Sequence, residues 1–281
     1  MEQVSCKVCG NDDLSDYCIA KDRLEISDES FRIVECVCGF VFLSPRPSEL
    51  EINQYYNDDD YGPYGHRGMI GALYRLAQKV TFRIKLSIIN RYVSVGRHLD
   101  IGGGKGEFCN FLKLRGWESE IFERSDVSVD GFKRVTSLSD IEASYDLITM
   151  WHSLEHLHSP NKVLSKIHSS LNDDGRLIIA VPNINAPEKK YFASDWAPYD
   201  APRHLYHFSL DSIVAMLNNN NLEVVSSYPM YQDTIYNTML STTPTNKHSI
   251  LYKLYIIAVS ILKGFLMGPR YASSFIIICT K

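Results

Sequence analysis

The 281-residue sequence lacks an excess of positive charge. Its formal net charge is −4, and no long basic run appears. Nothing therefore points to nucleic acid as a partner. Internal repeats and low-complexity tracts are absent. The opening Met1-Glu2-Gln3-Val4 is acidic and has no apolar run behind it, so no signal peptide is expected. Seven cysteines point to a reducing compartment, the cytoplasm, and to metal rather than disulfides. What is present is length enough for a full α/β core plus a small extra module. There are also 17 tyrosines, many in stretches that read as loops, which suits a binding surface more than a core.

Residues 98–108, His-Leu-Asp-Ile-Gly-Gly-Gly-Lys-Gly-Glu-Phe, read as strand, tight turn and helix. Such a turn ends a strand where open α/β sheets bind ligands. A P-loop needs Ser or Thr after its lysine, but Lys105 is followed by Gly106. A dinucleotide fingerprint needs a third glycine where Glu107 stands. What remains is D-x-G-x-G-x-G: Asp100, Gly102, Gly104 and Gly106. This resembles motif I of the class I S-adenosylmethionine-dependent methyltransferases. That cofactor has an amino-acid end and a ribose but no pyrophosphate. The expected contacts are Asp100 and the backbone of Gly102, Gly103 and Gly104. An ordinary strand-to-helix turn is the plainer alternative.

The elements around this turn follow in order. Residues 69–93 read as a helix with Leu73, Leu76, Val80, Ile84 and Ile88 on its packed face. The strand 118–123 ends on Glu123, which can accept from both ribose hydroxyls; a surface glutamate is the alternative. The span 124–133 is short for a βαβ crossover, and a third strand is expected at 132–135. The adenine pocket of the family is lined there, which points to Ser137 and Leu138. A fourth strand, 145–151, runs into Trp151-His152-Ser153-Leu154-Glu155-His156. This segment resembles the family's post-strand motif, which borders the methyl donor. There Trp151 would be an apolar wall and His152 a polar group. Some relatives hold a divalent metal at this place; the preferred reading is that Glu155 and His156 hydrogen-bond local backbone. A helix at 159–171, capped by Ser159, a turn at 172–175 and an apolar strand at 176–182 follow.

Residues 183–208 form a long loop, and such loops are usually functional. It holds Trp196, Tyr199 and the run Pro202-Arg203-His204-Leu205-Tyr206-His207-Phe208, which resembles a family signature. His152, His204 and His207 have suitable pKa values for removing a proton; fixing the loop is the competing role for Arg203 and His204. Ser209 caps the next helix, and a sixth strand is expected at 222–228. Residues 230–248 are read as a loop walling the cleft. The apolar stretch 249–267 is read as a helix packed on the protein rather than spanning a membrane, because a final antiparallel strand at 273–279 must follow it; contact with a membrane or a partner is the alternative.

Before the sheet, Cys6-Lys7-Val8-Cys9-Gly10 and Cys36-Val37-Cys38-Gly39 offer four thiolates to one structural zinc. Cys18 is a spare ligand, and unrelated buried cysteines or a redox pair are the alternatives. Then come Pro45-Arg46-Pro47 and a tyrosine-rich arm, Tyr55-Tyr56 and Tyr61-Gly62-Pro63-Tyr64. The order resembles a methyltransferase subgroup (type 11/23-like) with a zinc-ribbon-like head, in which the arm, with Tyr64, folds over the cofactor. A linker with packing tyrosines is the alternative.

The expected architecture is α/β: a Rossmann-like, mostly parallel seven-stranded sheet with a last antiparallel strand, plus the N-terminal zinc module. The division is 1–47 for the zinc-ribbon-like module, 48–95 for the arm and helix, and 96–281 for the methyltransferase domain. The resemblance implies methyl transfer from S-adenosylmethionine, with S-adenosylhomocysteine as product. The expected acceptor is a small polar molecule such as a sugar or nucleotide-sugar. A non-catalytic cofactor-binding or scaffold protein is the alternative.

Overall fold

Two sheets carry the chain, and the loop after the larger one ties them together. The computed structural model describes residues 1–56, 69–123, 131–142, 144–241 and 250–281, with backbone alone for 69–75. The arm tyrosines Tyr61 and Tyr64 lie outside the described residues.

The first sheet is built from β1 (Leu14–Lys21), β2 (Ser30–Cys36) and β3 (Val41–Leu43). Phe31, Ile33, Val34, Phe42 and Leu43 are buried, so this head has an apolar face to cover. The second sheet takes its parallel strands from β4 (Arg97–Ile101), β5 (Glu118–Phe122), β6 (Lys133–Val135), β7 (Tyr145–Trp151) and β8 (Leu171–Pro182). The helices between them are α1 (Met69–Ile89) before β4, α2 (Glu107–Lys113) after it, and α3 (Pro160–Ser170) before β8. After β8 come α4 (Lys189–Phe192), β9 (Tyr206–His207), α5 (Leu210–Asn218) and β10 (Glu223–Pro229). The chain closes with α6 (Tyr231–Leu240), α7 (Ile250–Met267) and β11 (Ser274–Thr280).

The large sheet has the order β10-β11-β8-β7-β4-β5-β6. β11 runs antiparallel between β8 and β10. This is the expected seven-stranded, mostly parallel sheet. The small sheet has the order β1-β2-β3-β9: Val41 faces His207, and Phe42 faces Tyr206. The Pro202–Phe208 run therefore supplies the fourth strand of the head, and one apolar core runs through both sheets.

Several local expectations change. In α1 the residues Leu76, Val80 and Ile84 are exposed, while Lys85, Ile88 and Ile89 are buried; the packed stripe is rotated toward Phe82, Lys85 and Ile89. Ser159 precedes α3 without a side-chain cap, whereas Ser209 and Ser212 form a reciprocal capping box on α5. β8 begins at Leu171, and residues 172–175 loop out where the pairing jumps from Tyr145–Leu171 to Leu147–Arg176. The expected loop after β10 contains α6. The helix read as packed, α7, buries only one side.

Two buried arginines fasten the head to the sheet. Arg203 donates to Asp22 Oδ1 at 2.7 Å, to Asp200 Oδ1 at 2.9 Å and to the Tyr55 carbonyl at 2.9 Å. Arg46 donates to the Tyr206 hydroxyl at 2.7 Å, the His158 carbonyl at 3.1 Å and Glu2 Oε1 at 2.8 Å. Removing one partner of a buried ion pair leaves uncompensated charge and costs about 3–5 kcal/mol. Arg203→Met is expected to lower the unfolding free energy by that order in urea titration, because Asp22 and Asp200 stay buried without it. A change below about 0.5 kcal/mol, the usual size of a surface effect, would refute this role.

Candidate active site and metal centre

The strand order reverses at β4, and the carboxyl ends of β4 and β7 are the switch point at which open α/β sheets place their ligand crevice. The glycine turn and Trp151-His152 meet there. At Gly102, φ is +74°, and an added Cβ would stand 2.6 Å from the Ser153 Cβ. Ser153 in turn donates to the Ile101 carbonyl at 2.8 Å. Only a residue without a side chain fits between the two segments. At Gly104, φ is +52° and the space beside the backbone is open. Its N–H donates to Glu123 Oε2 at 3.3 Å, which brings the end of β5 to the same rim. This bare, turned backbone between two carboxylate-bearing strands fits a cofactor with an amino-acid end and a ribose.

Asp100 lies beneath the turn and is buried. Its Oδ1 accepts from Thr149 Oγ1 at 2.5 Å, and Thr149 Oγ1 lies 2.8 Å from His98 Nε2. Burial pushes the His98 imidazole down to about 3, so it stays neutral. Burial also raises the Asp100 carboxyl to about 6, against the pull of Thr149 and Lys85. Asp100 acts on the crevice from below rather than lining it.

Lys85 of α1 escaped the sequence reading. Its ammonium stands 3.9 Å from the centroid of the Trp151 ring and 5.3 Å from that of Phe108. Burial lowers it to about 8, while Asp100 and Asp233 pull the other way. Among the described residues none accepts a hydrogen bond from it. The available signal was a charge on the stripe Phe82, Lys85, Ile89, where an apolar residue is the norm. Trp151 is thus an apolar wall, but one turned toward a cation. Ser137 and Leu138 follow β6; Ser137 lies 2.7 Å from the Ser139 hydroxyl, and Leu138 packs on the core.

His152 has φ of +52°, a strained position for a non-glycine residue. Its Nε2 lies 3.0 Å from Asp233 Oδ2 on α6, and its Nδ1 lies 3.5 Å from Glu155 Oε1. The Glu155 carboxylate accepts no hydrogen bond among the described residues, although its side chain is 1% exposed. Of the two residues expected to bond local backbone, Glu155 does not, and His156 does, donating from Nδ1 to the Arg203 carbonyl at 3.0 Å. Glu155, His156 and His204 bring donor atoms within 4.8 Å of one another. His204 Nδ1 donates to the Pro198 carbonyl at 2.8 Å, and its Nε2 lies 3.9 Å from Asp200 Oδ2.

His207 is a correction. It pairs with Val41 and lies edge-on to Tyr199 at 5.5 Å. Burial pushes it down to about 3, so it is too weak a base for a hydroxyl and serves packing. Trp196 and Tyr199 are also buried, edge-to-face at 5.2 Å; they support the loop instead of offering a stacking surface.

The head gathers four cysteines that could hold a metal ion. Cys6 and Cys38 sulfurs are 3.6 Å apart, Cys9 and Cys36 sulfurs 3.5 Å, and all four lie within 4.8 Å. Four thiolates at about 2.3 Å from a tetrahedral zinc stand about 3.8 Å apart. The glycines after each pair, Gly10 and Gly39, take φ of +77° and +82°, so the tighter C-x-C pair still closes its knuckle. Cys18 sits on β1 outside the cluster.

Residues 73–227 match a family model described as a methyltransferase domain, more than half of the chain. No curated protein sequence matches. Among solved structures, a SAM-dependent methyltransferase from Archaeoglobus fulgidus is 18% identical with a TM-score of 0.49, covering 72% of this chain and 94% of that one. A phosphoethanolamine N-methyltransferase 2 from Haemonchus contortus is 15% identical with a TM-score of 0.45, covering 71% and 52%. A SAM-dependent methyltransferase from Mesorhizobium loti is 14% identical with a TM-score of 0.44, covering 68% and 93%.

The two carboxylates beside His152 decide its charge. Burial alone would lower its pKa, but Asp233 and Glu155 outweigh it and push the imidazole up to about 10. The folded value is raised above the unfolded value near 6.5, so the stabilisation is complete below about pH 6.5 and is lost as pH rises through about 10. Asp233→Asn removes the main attraction. The melting-temperature difference between wild type and Asp233→Asn is expected to be largest near pH 6 and to shrink toward pH 10. A difference that stays constant over this range would contradict the pairing.

Proposed function

Since the chain belongs to the methyltransferase domain family, we propose that it binds S-adenosylmethionine across the ends of β4 and β7 and methylates a small polar acceptor. The same membership rules against the non-catalytic scaffold. The observation that carries the reading is the meeting of the glycine turn with Trp151-His152, held by Gly102 against Ser153.

The turn 102–104 cradles the cofactor's amino-acid end, and Glu123 takes the ribose hydroxyls. Ser137 and Leu138 flank the adenine. Asp100 favours the ammonium from below, and Lys85 supplies the complementary cation for the carboxylate. The bound cofactor provides a methyl group already activated on a positive sulfur. An acceptor atom approaching in line forms its bond to carbon as the carbon–sulfur bond breaks, and the pair returns to sulfur. The chain's task is to orient the acceptor and remove its proton. His152, held as a cation by Asp233 and Glu155, sets a positive charge beside the acceptor; His204 takes the proton. Polar groups from several segments converge at this place (His152, Asp233, His204), which supports a sugar or nucleotide-sugar acceptor. Zinc in the four-cysteine cluster is structural and fixes the head on which β9 pairs. Its absence from the reaction follows from the separate positions of the cluster and the crevice in the fold.

Calorimetry with S-adenosylhomocysteine is expected to show binding. Glu123→Ala should weaken it by about 1–3 kcal/mol through lost hydrogen bonds. Lys85→Met should weaken it too, yet leave methylthioadenosine, which has no amino-acid end, bound as before. No binding by the wild type would overturn the cofactor reading; equal loss for both ligands would overturn only the role of Lys85.

Elemental analysis of protein purified without chelators is expected to give one zinc per chain, lost in Cys9→Ser. Full zinc retention in that variant would reject the four-thiolate site.

For the base, His204→Ala should cut turnover by about 10²–10⁴-fold with S-adenosylhomocysteine affinity unchanged. The assay is labelled-methyl transfer to fractionated metabolites, nucleotide-sugars and lipid-linked glycans. Full turnover by the variant on the acceptor so found would move proton removal elsewhere.

A further inference from the structure

α7 turns an apolar face to solvent. Leu251, Leu254, Tyr255, Leu262, Phe265 and Leu266 are exposed, with Leu251 at 73% and Phe265 at 73%. At 100° per residue they share one side of the helix. The opposite side, Ile256, Ile257, Ser260 and Gly264, packs on the protein. α6 beside it exposes Ile235, Tyr236 and Met239. A contiguous apolar surface of this kind marks an interaction site.

Charge says what covers it. The last 48 residues of the chain hold five Lys or Arg and no Asp or Glu, in a protein of net charge −4. Arg270 and Lys281 are spent on Asp211 and Asp173. On α7 itself Lys253 is spent on the Met239 and Ser241 carbonyls at 2.9 Å, and Lys263 sits at the flank of the apolar face. Long lysine stems reach past apolar surface while their ammonium groups stay at a polar boundary. A two-fold pair of copies would set this acid-free surface against itself and supply no negative partner for Lys263. An anionic lipid surface offers apolar tails beneath a negative layer.

We propose that the outward face of α7, with the adjoining residues of α6, docks on an anionic lipid bilayer. The helix is long and apolar enough to span a membrane by length and composition. It lies in the interface instead, because its other side is packed and β11 follows it into the middle of the sheet. α6 carries Asp233 to His152, so docking brings one wall of the crevice toward the lipid headgroups.

The test is co-sedimentation of the full chain with vesicles of phosphatidylcholine, with and without phosphatidylglycerol. Strong binding to the mixed vesicles and at least tenfold weaker binding to pure phosphatidylcholine are expected. The double variant Leu262→Glu, Phe265→Glu should lose binding at least tenfold, as should Leu251→Glu, Leu254→Glu, with melting temperatures and S-adenosylhomocysteine affinity retained. Wild type remaining in the supernatant with both vesicle types would overturn the proposal. So would a wild-type dimer in light scattering that the same variants convert to monomer, since the face would then belong to a second copy.

Discussion

The buried guanidinium of Arg203 is the point on which the rest of the structure hangs. Its three acceptors come from three places: Asp22 after β1, the Tyr55 carbonyl after the head, and Asp200 in the loop after β8. A planar fork presents several donors in fixed directions, whereas a lysine offers a compact point charge on a flexible stem. With Arg203 so placed, the next residues have little freedom. Leu205 receives a hydrogen bond from Leu43 and gives one to the Glu155 carbonyl, and Tyr206 and His207 complete the small sheet. His204 is thereby set beside Glu155. The two Pro-Arg segments, one in the head and one in the loop, are two ends of one fastening.

The electrostatics of the crevice follow from what surrounds each group. His98 and Asp100 are both buried, and burial makes one a neutral link and raises the other's carboxyl to about 6. Thr149 between them satisfies both at once. His152 is exposed enough to meet a ligand, but two carboxylates hold its proton. His204, a few ångströms from the same Glu155, has its Nδ1 committed to a backbone carbonyl. Two imidazoles thus flank one buried carboxylate, His152 with its ring between two acids and His204 anchored on a backbone carbonyl.

Much of this was legible in the residues. The glycine turn, the acid at the end of β5, the Trp151-His152 corner and the paired cysteines are local signals with a chemical reason, and each lies where its spacing indicated. The family model, matching residues 73–227, agrees with the fold read from them. What escaped was tertiary. The packed stripe of α1 depends on which neighbours it meets, so Leu76 and Ile84 face solvent while Lys85 is buried among aromatics. α6 carries threonines and an asparagine with weak helical preference, and forms because α7 packs beside it. His207 and Trp196 look like site residues in a polar, aromatic loop. Only the pairing of β3 with β9 reveals that they sit in the core. The apolar stretch of α7 was read as a buried helix because sequence alone does not say which of its sides is covered.

The central physical claim is that head and sheet open as one unit because buried charge ties them. Native-state hydrogen exchange in increasing urea measures this directly. The account predicts that amides of β2 and β3 and those of β4 and β7 converge on one opening free energy, with β9 among them. If β2 and β3 open at a clearly lower free energy while β4, β7 and β9 stay protected, the fastening through Arg203 is not what holds the molecule together.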